Sequence, residues 1–520
     1  MAKAFTTDRE RCRCGERRKQ RYRRPAGKTR AQLKQICAGD ELGKREETRM
    51  TRNSNVADCG PKGEGAHRLN RRDFMVGTAQ ATLVGAAIGS TTLRPARAQS
   101  AGAEAPFIQP ITERTRPISK AKEPVPYDVA KEIRARFSVA NWQSAGDDGV
   151  YVNMHFPSFK PTDIAMPSHP PRTLERDIRL DLPNMTFTRE DGSQSDTLDD
   201  YVYGENRTQA LLMAHKGKVV YEAYPGMNPW DYHIWMSASK TCVGTLCVIL
   251  EREGLLDLEA PISNYATELA GTAWDAVSMR DALNMASGLD VEETTEAFLD
   301  PNSWIERFFA SLFDGDGNAW IEILQSVQPL EGEQPGDRFR YSTSITQALV
   351  LALQNASNLK YVDLFNDRIW SRIGCQNQYM VGLASDGTAV GGGLNMTTPE
   401  DMLRYAMIFT PSWHVVSTEQ IVSDDLLRRI QTLGDPAAYQ GSTEEGYHAQ
   451  WFGEKGERNS AQWDVVFADG AMFKHGNMHQ GIYADPARDF CGMIFSTTPN
   501  DQPDYTPGYL REAAKQLAGG

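Results

Sequence analysis

Ser237 and Lys240 stand three residues apart in the stretch WMSASKTC, residues 235–242. A serine one helical turn from a lysine is a candidate nucleophile, because the two side chains share a helix face and the amine can reach the hydroxyl. Burial, or a second cation nearby, lowers a lysine's pKa enough for it to serve as the base. The same spacing recurs at Ser119 with Lys122 and at Ser357 with Lys360. Ser119 lies between prolines in RPISKAKEPVP and opens no helix, and Ser357 ends the helix-like run TQALVLALQNASN. Only Ser237 precedes an apolar run at helical spacing, SKTCVGTLCVILEREG, which predicts a buried helix beginning at Ser237 and closing at Gly254. There the serine's own N–H lacks an intrahelical acceptor and sits at the positive end of the dipole, a place suited to an oxyanion. Taken alone, the pair reads as a helix cap beside a solvated lysine, so partners have to be found.

Two downstream stretches supply them. Tyr341 lies in FRYSTS, residues 339–344, ahead of another helical run; Lys474, His475 and Gly476 lie in FKHGNMHQG, residues 473–481, just before a final strand pair. A glycine there leaves the backbone bare for close approach. His233 and His479 read as hydrogen-bonded structure, with His479 also a candidate for lining the site from its loop. Trp235 and Tyr232 read as pocket wall or core, and Met472 and Met478 as core or rim.

The elements that must position these residues follow from periodicity. A short helix is expected over 127–138, and QALLMAH and KVVYEAY form a hairpin about Lys216-Gly217. MHQGIYADPARDFCGMIFSTT reads as two strands joined by Asp485–Arg488, and YLREAAKQLA as a last helix. The class is therefore α+β: an antiparallel sheet gathering N- and C-terminal strands, flanked by helices, with a mainly helical subdomain. Specificity is expected in loops within 290–335 and 433–465.

In order, Ser237-x-x-Lys240, Tyr341 and Lys474-His475-Gly476 resemble the three boxes of the serine β-lactamase and penicillin-binding-protein superfamily: SxxK, Y-x-N and K-T-G. EGLLDLEAPISNY, MRDALNMASGLD and GGGLNMTTPEDMLRYA resemble further segments of it. The upstream NWQSAGDDGVYVNMHFPSFKPTDIAMP is similar to the NW…P stretch of the 6-aminohexanoate-dimer (nylon oligomer) hydrolase branch. The resemblance covers roughly 140–515 and implies a β-lactamase/transpeptidase-like fold. It also implies an acyl-enzyme mechanism with Ser237 as nucleophile, Lys240 and Tyr341 sharing the proton work, and Lys474 holding down the tyrosine's pKa or meeting a substrate carboxylate. The oxyanion hole would be the backbone N–H groups of Ser237 and Asn477. Thr343, His475, Gly476 and His479 would touch substrate, and no metal or organic cofactor is implied. Thr343 replaces the asparagine of the second box, which weighs against β-lactam and cell-wall substrates. His475 replaces the threonine of the third.

Charge and composition set outer limits. Of 56 Lys+Arg and 68 Asp+Glu, residues 1–98 hold 23 and 10, leaving 33 basic and 58 acidic residues in the remainder. So acidic a surface disfavours nucleic acid and anionic membranes and suits small neutral or cationic ligands. NRRDFMVGTAQATLVGAAIGSTTLRPARAQS looks like a twin-arginine signal with cleavage after Ala98. A bilayer span would need about 20 predominantly apolar residues, which the interspersed Gly, Thr and Gln prevent. The expected divisions are 1–49, a non-structural segment or misplaced start ahead of Met50; 50–98, the signal; 99–139, a linker or arm; and 140–520, the hydrolase domain. Cys242, Cys247, Cys375 and Cys491 follow no metal-binding spacing and cannot be paired from sequence. The expected partners are a small amide, peptide or ester substrate and the twin-arginine export machinery, with periplasmic or secreted localisation. The reading is an exported serine hydrolase of small linear amides or short peptides. A carboxylesterase, a β-lactamase or D,D-peptidase, and a non-catalytic binding module remain open beside it.

Overall fold

The computed structural model describes residues 116–519 apart from 169, 295, 296, 298, 299, 301, 315–318 and 501. The twin-arginine stretch, the segment ahead of it and residues 99–115 of the arm lie outside the described residues. No described helix is long and apolar enough to cross a membrane.

Strands β1 (Thr162–Ala165) and β2 (Glu175–Arg176) precede the expected hairpin, β3 (Thr208–His215) and β4 (Lys218–Ala223). Lys216 and Gly217 turn it with φ of 49° and 76°, as a tight hairpin turn requires. β5 (His233–Ile234), β6 (Tyr379–Gly382) and β7 (Asn395–Thr397) follow. The C-terminal strands are β8 (Arg458–Ser460), β9 (Trp463–Val466), β10 (Met472–Gly476), β11 (Gln480–Asp485) and β12 (Phe490–Ser496). One eight-stranded sheet runs β2-β4-β3-β12-β11-β10-β9-β8, antiparallel except for the β2–β4 pair. It joins N- and C-terminal strands as expected, through the β3–β12 pairing of Leu212 with Met493. Every residue of β12 is buried, so both faces of this strand are covered. The helices Pro399–Met407 and Thr506–Ala518 both pack on it.

A second sheet, β1-β6-β7-β5, has no counterpart in the sequence reading, because strands of two to four residues are too short for alternation to declare itself. It matters for the site. β5 pairs with β7, and Trp235 N donates to Asn395 O at 2.8 Å, which fixes the two residues before Ser237. Met236 then enters with φ 46°, and a 3-10 turn, Met236–Ser239, leads into the α-helix Lys240–Arg252. The α-helix thus starts three residues later than the periodicity suggests, because a left-handed residue cannot continue a right-handed helix.

The other two SxxK stretches lie away from this turn. Ser119 is exposed within a short 3-10 turn, Ile118–Lys122, where no helical turn is expected; Ser357 is the last residue of the helix Thr343–Ser357. The helix expected over 127–138 runs Tyr127–Ala135. The two stretches expected to be specificity loops are partly helical, as Trp304–Asp314, Ala319–Gln325, Pro436–Tyr439 and Thr443–Phe452. Cys242, Cys247, Cys375 and Cys491 are buried free thiols.

Helix Lys240–Arg252 packs with its backbone against the β8–β9 turn. A Cβ on Gly244 would lie 2.0 Å from the Ala461 carbonyl oxygen. Gly244→Ala is therefore expected to cost roughly 1–3 kcal/mol by overpacking, read as a lowered thermal midpoint; an unchanged midpoint would contradict this packing.

Candidate active site

Lys240 has no solvent exposure, and a buried ammonium needs acceptors. Its Nζ donates to Ser237 Oγ at 2.9 Å, Thr343 Oγ1 at 3.0 Å and the Gly392 carbonyl at 2.7 Å. Three distant chain segments thus converge on one amine. Burial, followed by the nearby Lys474 cation, lowers its pKa to about 7, against the opposing pull of Glu293 and Asp464. Near neutrality a substantial fraction of Lys240 is an unprotonated amine hydrogen-bonded to a partly exposed serine.

Tyr341 lies over this pair, with both Lys240 Nζ and Lys474 Nζ near its ring, at 5.1 and 4.5 Å from the centroid. Lys474 Nζ is 3.4 Å from its hydroxyl. The expectation that Lys474 lowers the tyrosine's pKa is not met. Burial, then Asp464 and Glu293, push the phenol well above its ordinary value, and the Ser237 hydrogen bond only partly opposes them. Lys474 and Asp464 form a buried ion pair, and the other Asp464 oxygen accepts from His475 N at 2.8 Å. The Lys474 side chain is fully buried and does not line the cavity. It is a positioning residue.

Gly476 is corrected in the same way. A Cβ there would come 2.7 Å from Trp235 O and 3.1 Å from Met236 Cβ, so the bare backbone admits the Ser237 turn rather than substrate. Beyond it, the turn Asn477–His479 carries two left-handed non-glycine residues, Met478 and His479, at φ 59° and 65°. Such strain persists only where the surroundings enforce it. Here Met478 N donates to Asn500 Oδ1 at 2.8 Å, and the Asn477 side chain is hydrogen-bonded to both Gln143 and Asn500. His479 is buried beneath this turn, with Nδ1 3.9 Å from Asp504 Oδ1, and does not line the cavity. Met472 and Met478 are core, as is Trp235. His233 is a buried structural residue bonded to Gln209 Oε1 at 2.9 Å.

Ser237, Tyr341, Thr343, His475 and Asn477 border one cavity of about 120 Å3. His475 forms part of its wall, tilted against Trp451 with ring centroids 4.4 Å apart and with Nε2 3.3 Å from Asp504 Oδ2. Other cavity residues escaped sequence reading. Trp142 and Gln143 come from the NW stretch, Phe309 and Phe313 from helix Trp304–Asp314, Glu444 and Trp451 from helix Thr443–Phe452, and Asp464 from β9. Glu293 is 8% exposed; its carboxylate accepts from Thr343 N, and its own N–H donates to Tyr341 O at 3.0 Å. In an acidic run such as Glu292-Glu293 nothing marks which residue is buried. Among the described residues no group of His, Cys, Asp and Glu could hold a metal ion.

This fold and cluster of groups agree with what comparison with known proteins finds. A family model described as Beta-lactamase matches residues 203–516, more than half of the chain, and the chain belongs to that family. A curated relative, 6-aminohexanoate-dimer hydrolase of Paenarthrobacter ureafaciens, is 25% identical over 307 residues, 57% of this chain and 74% of the relative. A solved structure, a provisionally named 6-aminohexanoate-dimer hydrolase from Bacillus anthracis, superposes with a TM-score of 0.56 at 19% identity. It covers 71% of this chain and 94% of its own. The protein is a β-lactamase-fold hydrolase related to 6-aminohexanoate-dimer hydrolase, and its fold is β-lactamase/transpeptidase-like.

Glu293 raises the pKa of Lys240 by stabilising the ammonium form. Glu293→Gln should therefore move the amine's apparent pKa below its value of about 7. The pH dependence of Ser237 labelling by a serine-reactive phosphonate measures this, and an unmoved or upward-shifted limb would refute the coupling.

Proposed function

We propose that this hydrolase cleaves small linear amides or short peptides through a Ser237 acyl-enzyme. The observation that carries the reading is the 2.9 Å hydrogen bond from Lys240 Nζ to Ser237 Oγ, made by an amine whose pKa burial lowers to about 7. Neutral Lys240 takes the Ser237 proton as Oγ attacks the carbonyl carbon. The oxyanion is held by the N–H groups of Ser237 and Asn477, both on the cavity wall. Tyr341, whose phenol burial keeps protonated, gives its proton to the leaving amine as the C–N bond breaks, and regains one from the Lys240 ammonium. Water then attacks the ester with the proton transfers reversed. The relationship to 6-aminohexanoate-dimer hydrolase supports an amide rather than an ester as the bond attacked. Thr343, engaged by Lys240 Nζ where the family's second box has asparagine, disfavours β-lactams.

Ser237→Ala should lower kcat/KM roughly 10,000-fold or more and remove the acyl adduct seen by intact mass across a panel of amides, peptides, esters and a penicillin. Undiminished turnover would sink the proposal, and adducts confined to esters would favour a carboxylesterase. In the wild type, kcat/KM should rise tenfold per pH unit up to about 7 as Lys240 loses its proton, then level off. A profile flat from about pH 5 to 8 would exclude Lys240 as the base.

We also propose that the chain is exported through a twin-arginine route, on the strength of Arg71-Arg72 and Ala96-Arg97-Ala98. The mature protein would begin at Gln99. N-terminal sequencing of the periplasmic product tests this, and an unprocessed cytoplasmic product would overturn it.

A further inference from the structure

The NW stretch takes no part in the proton transfers proposed above, although Trp142 and Gln143 border the cavity. It forms the helix Val139–Gln143, capped by Ser138 Oγ, which accepts from Asn141 N at 3.1 Å. Trp142 Nε1 donates to Asn153 Oδ1 at 2.7 Å, and Asn153 Nδ2 donates in turn to Thr497 Oγ1 at 3.0 Å. The helix is thereby tied to the segment just beyond β12. A Cβ on Gly149 would lie 2.7 Å from the Trp142 carbonyl oxygen, so it takes a glycine to let the next helix, Asp147–His155, come this close.

Gln143, held in this way and buried, begins a chain of amides. Its Oε1 accepts from Asn477 Nδ2, Asn477 Oδ1 accepts from Asn500 Nδ2, and Asn500 Oδ1 accepts from Met478 N at 2.8 Å. An amide side chain can present either end, but a backbone N–H can only donate. Met478 N therefore fixes Asn500 with its oxygen toward the turn, which leaves the Asn500 amine for Asn477 Oδ1 and the Asn477 amine for Gln143 Oε1. From the other side Gln480 Nε2 donates to the carbonyls of Asn477 and Met478 at 3.3 and 3.2 Å.

We propose that Gln143 and Asn500 are positioning residues that hold the turn Asn477–His479 so that Asn477 N is aimed at the oxyanion, an assignment that rests on the acyl-enzyme reading above. Met478 and His479 are consecutive left-handed residues without glycine, and a turn under such strain relaxes when its supports are removed. A reacting group displaced by about 1 Å costs on the order of 100-fold in rate. Both supports are uncharged. They fix the donor without altering the groups that, after burial, set the Lys240 pKa, namely Lys474, Glu293 and Asp464.

Phosphonylation of Ser237 by a p-nitrophenyl alkylphosphonate tests this, because the phosphoryl oxygen takes the place of the oxyanion and the released p-nitrophenolate times the step. Gln143→Met keeps a long unbranched side chain but lacks the amide acceptor. Its limiting rate should fall about 10- to 100-fold, with the half-saturating concentration and the pH limb at about 7 unmoved. Gln143→Glu keeps an oxygen for Asn477 Nδ2 and should recover most of the wild-type rate on the plateau above that limb. Equal losses in the two variants, a change confined to the half-saturating concentration, or no loss at all overturns the assignment. Should Gln143→Met not fold, Asn500→Ala removes the other support and must show the same fall in limiting rate alone. A wild type that takes no label at Ser237 removes the acyl-enzyme reading and this assignment with it; variants labelled as fast as a reactive wild type remove this assignment only.

Discussion

The burial of one amine organises this site. Lys240 has lost water entirely, and its three hydrogen bonds go to Ser237 on the preceding turn, to Thr343 at the start of another helix and to the Gly392 carbonyl. Each acceptor is held by something else. The small sheet fixes the residues before Ser237, the Glu293 carboxylate bonds the Thr343 backbone, and β7 begins at Asn395, just beyond Gly391–Gly393 and Leu394. Removing any support would leave a buried donor unmet, so this one lysine side chain ties three segments together.

Around it the charges are interleaved rather than simply paired. Beyond burial, Lys474 lowers the Lys240 pKa while Glu293 and Asp464 raise it, and burial, then the same two acids, keeps the Tyr341 phenol protonated. The environment thus drives two neighbouring groups apart, toward a neutral amine and a neutral phenol, a division that suits one to accept a proton and the other to donate it. Asp464 bears on both groups although it touches neither through a hydrogen bond: its charge raises both pKa values, and it also pairs with Lys474.

Much of the fold could be read from the sequence, because long regular elements carry strong periodicity. The β3–β4 hairpin, the β11–β12 pair and the helices ending at Arg252, Ser357 and Ala518 are where the pattern places them. The short β5 and β7 were not legible, nor was the left-handed Met236 that delays the helix. At the site, Ser237, Lys240, Tyr341, Thr343, His475 and Asn477 converge because their spacing follows a known set of boxes. Gly476 and His479 were assigned to substrate and belong instead to the scaffold, since spacing along a chain does not reveal which face of a turn meets the cavity. Glu293, Glu444 and Asp464 had no sequence signal: an acid within an acidic run or a helix start looks solvated until the partner that buries it is known.

The pairing of β3 with β12 also has a consequence for how the chain is made. The hairpin β3–β4 leaves the ribosome nearly 300 residues before its neighbour in the sheet, as the numbering of Leu212 and Met493 requires. During that interval the buried edge of β3 has no partner, and unpaired apolar edges invite wrong association. The large sheet can be completed only when the last strand emerges, so one edge of β3 must wait through most of the chain's synthesis before it is covered.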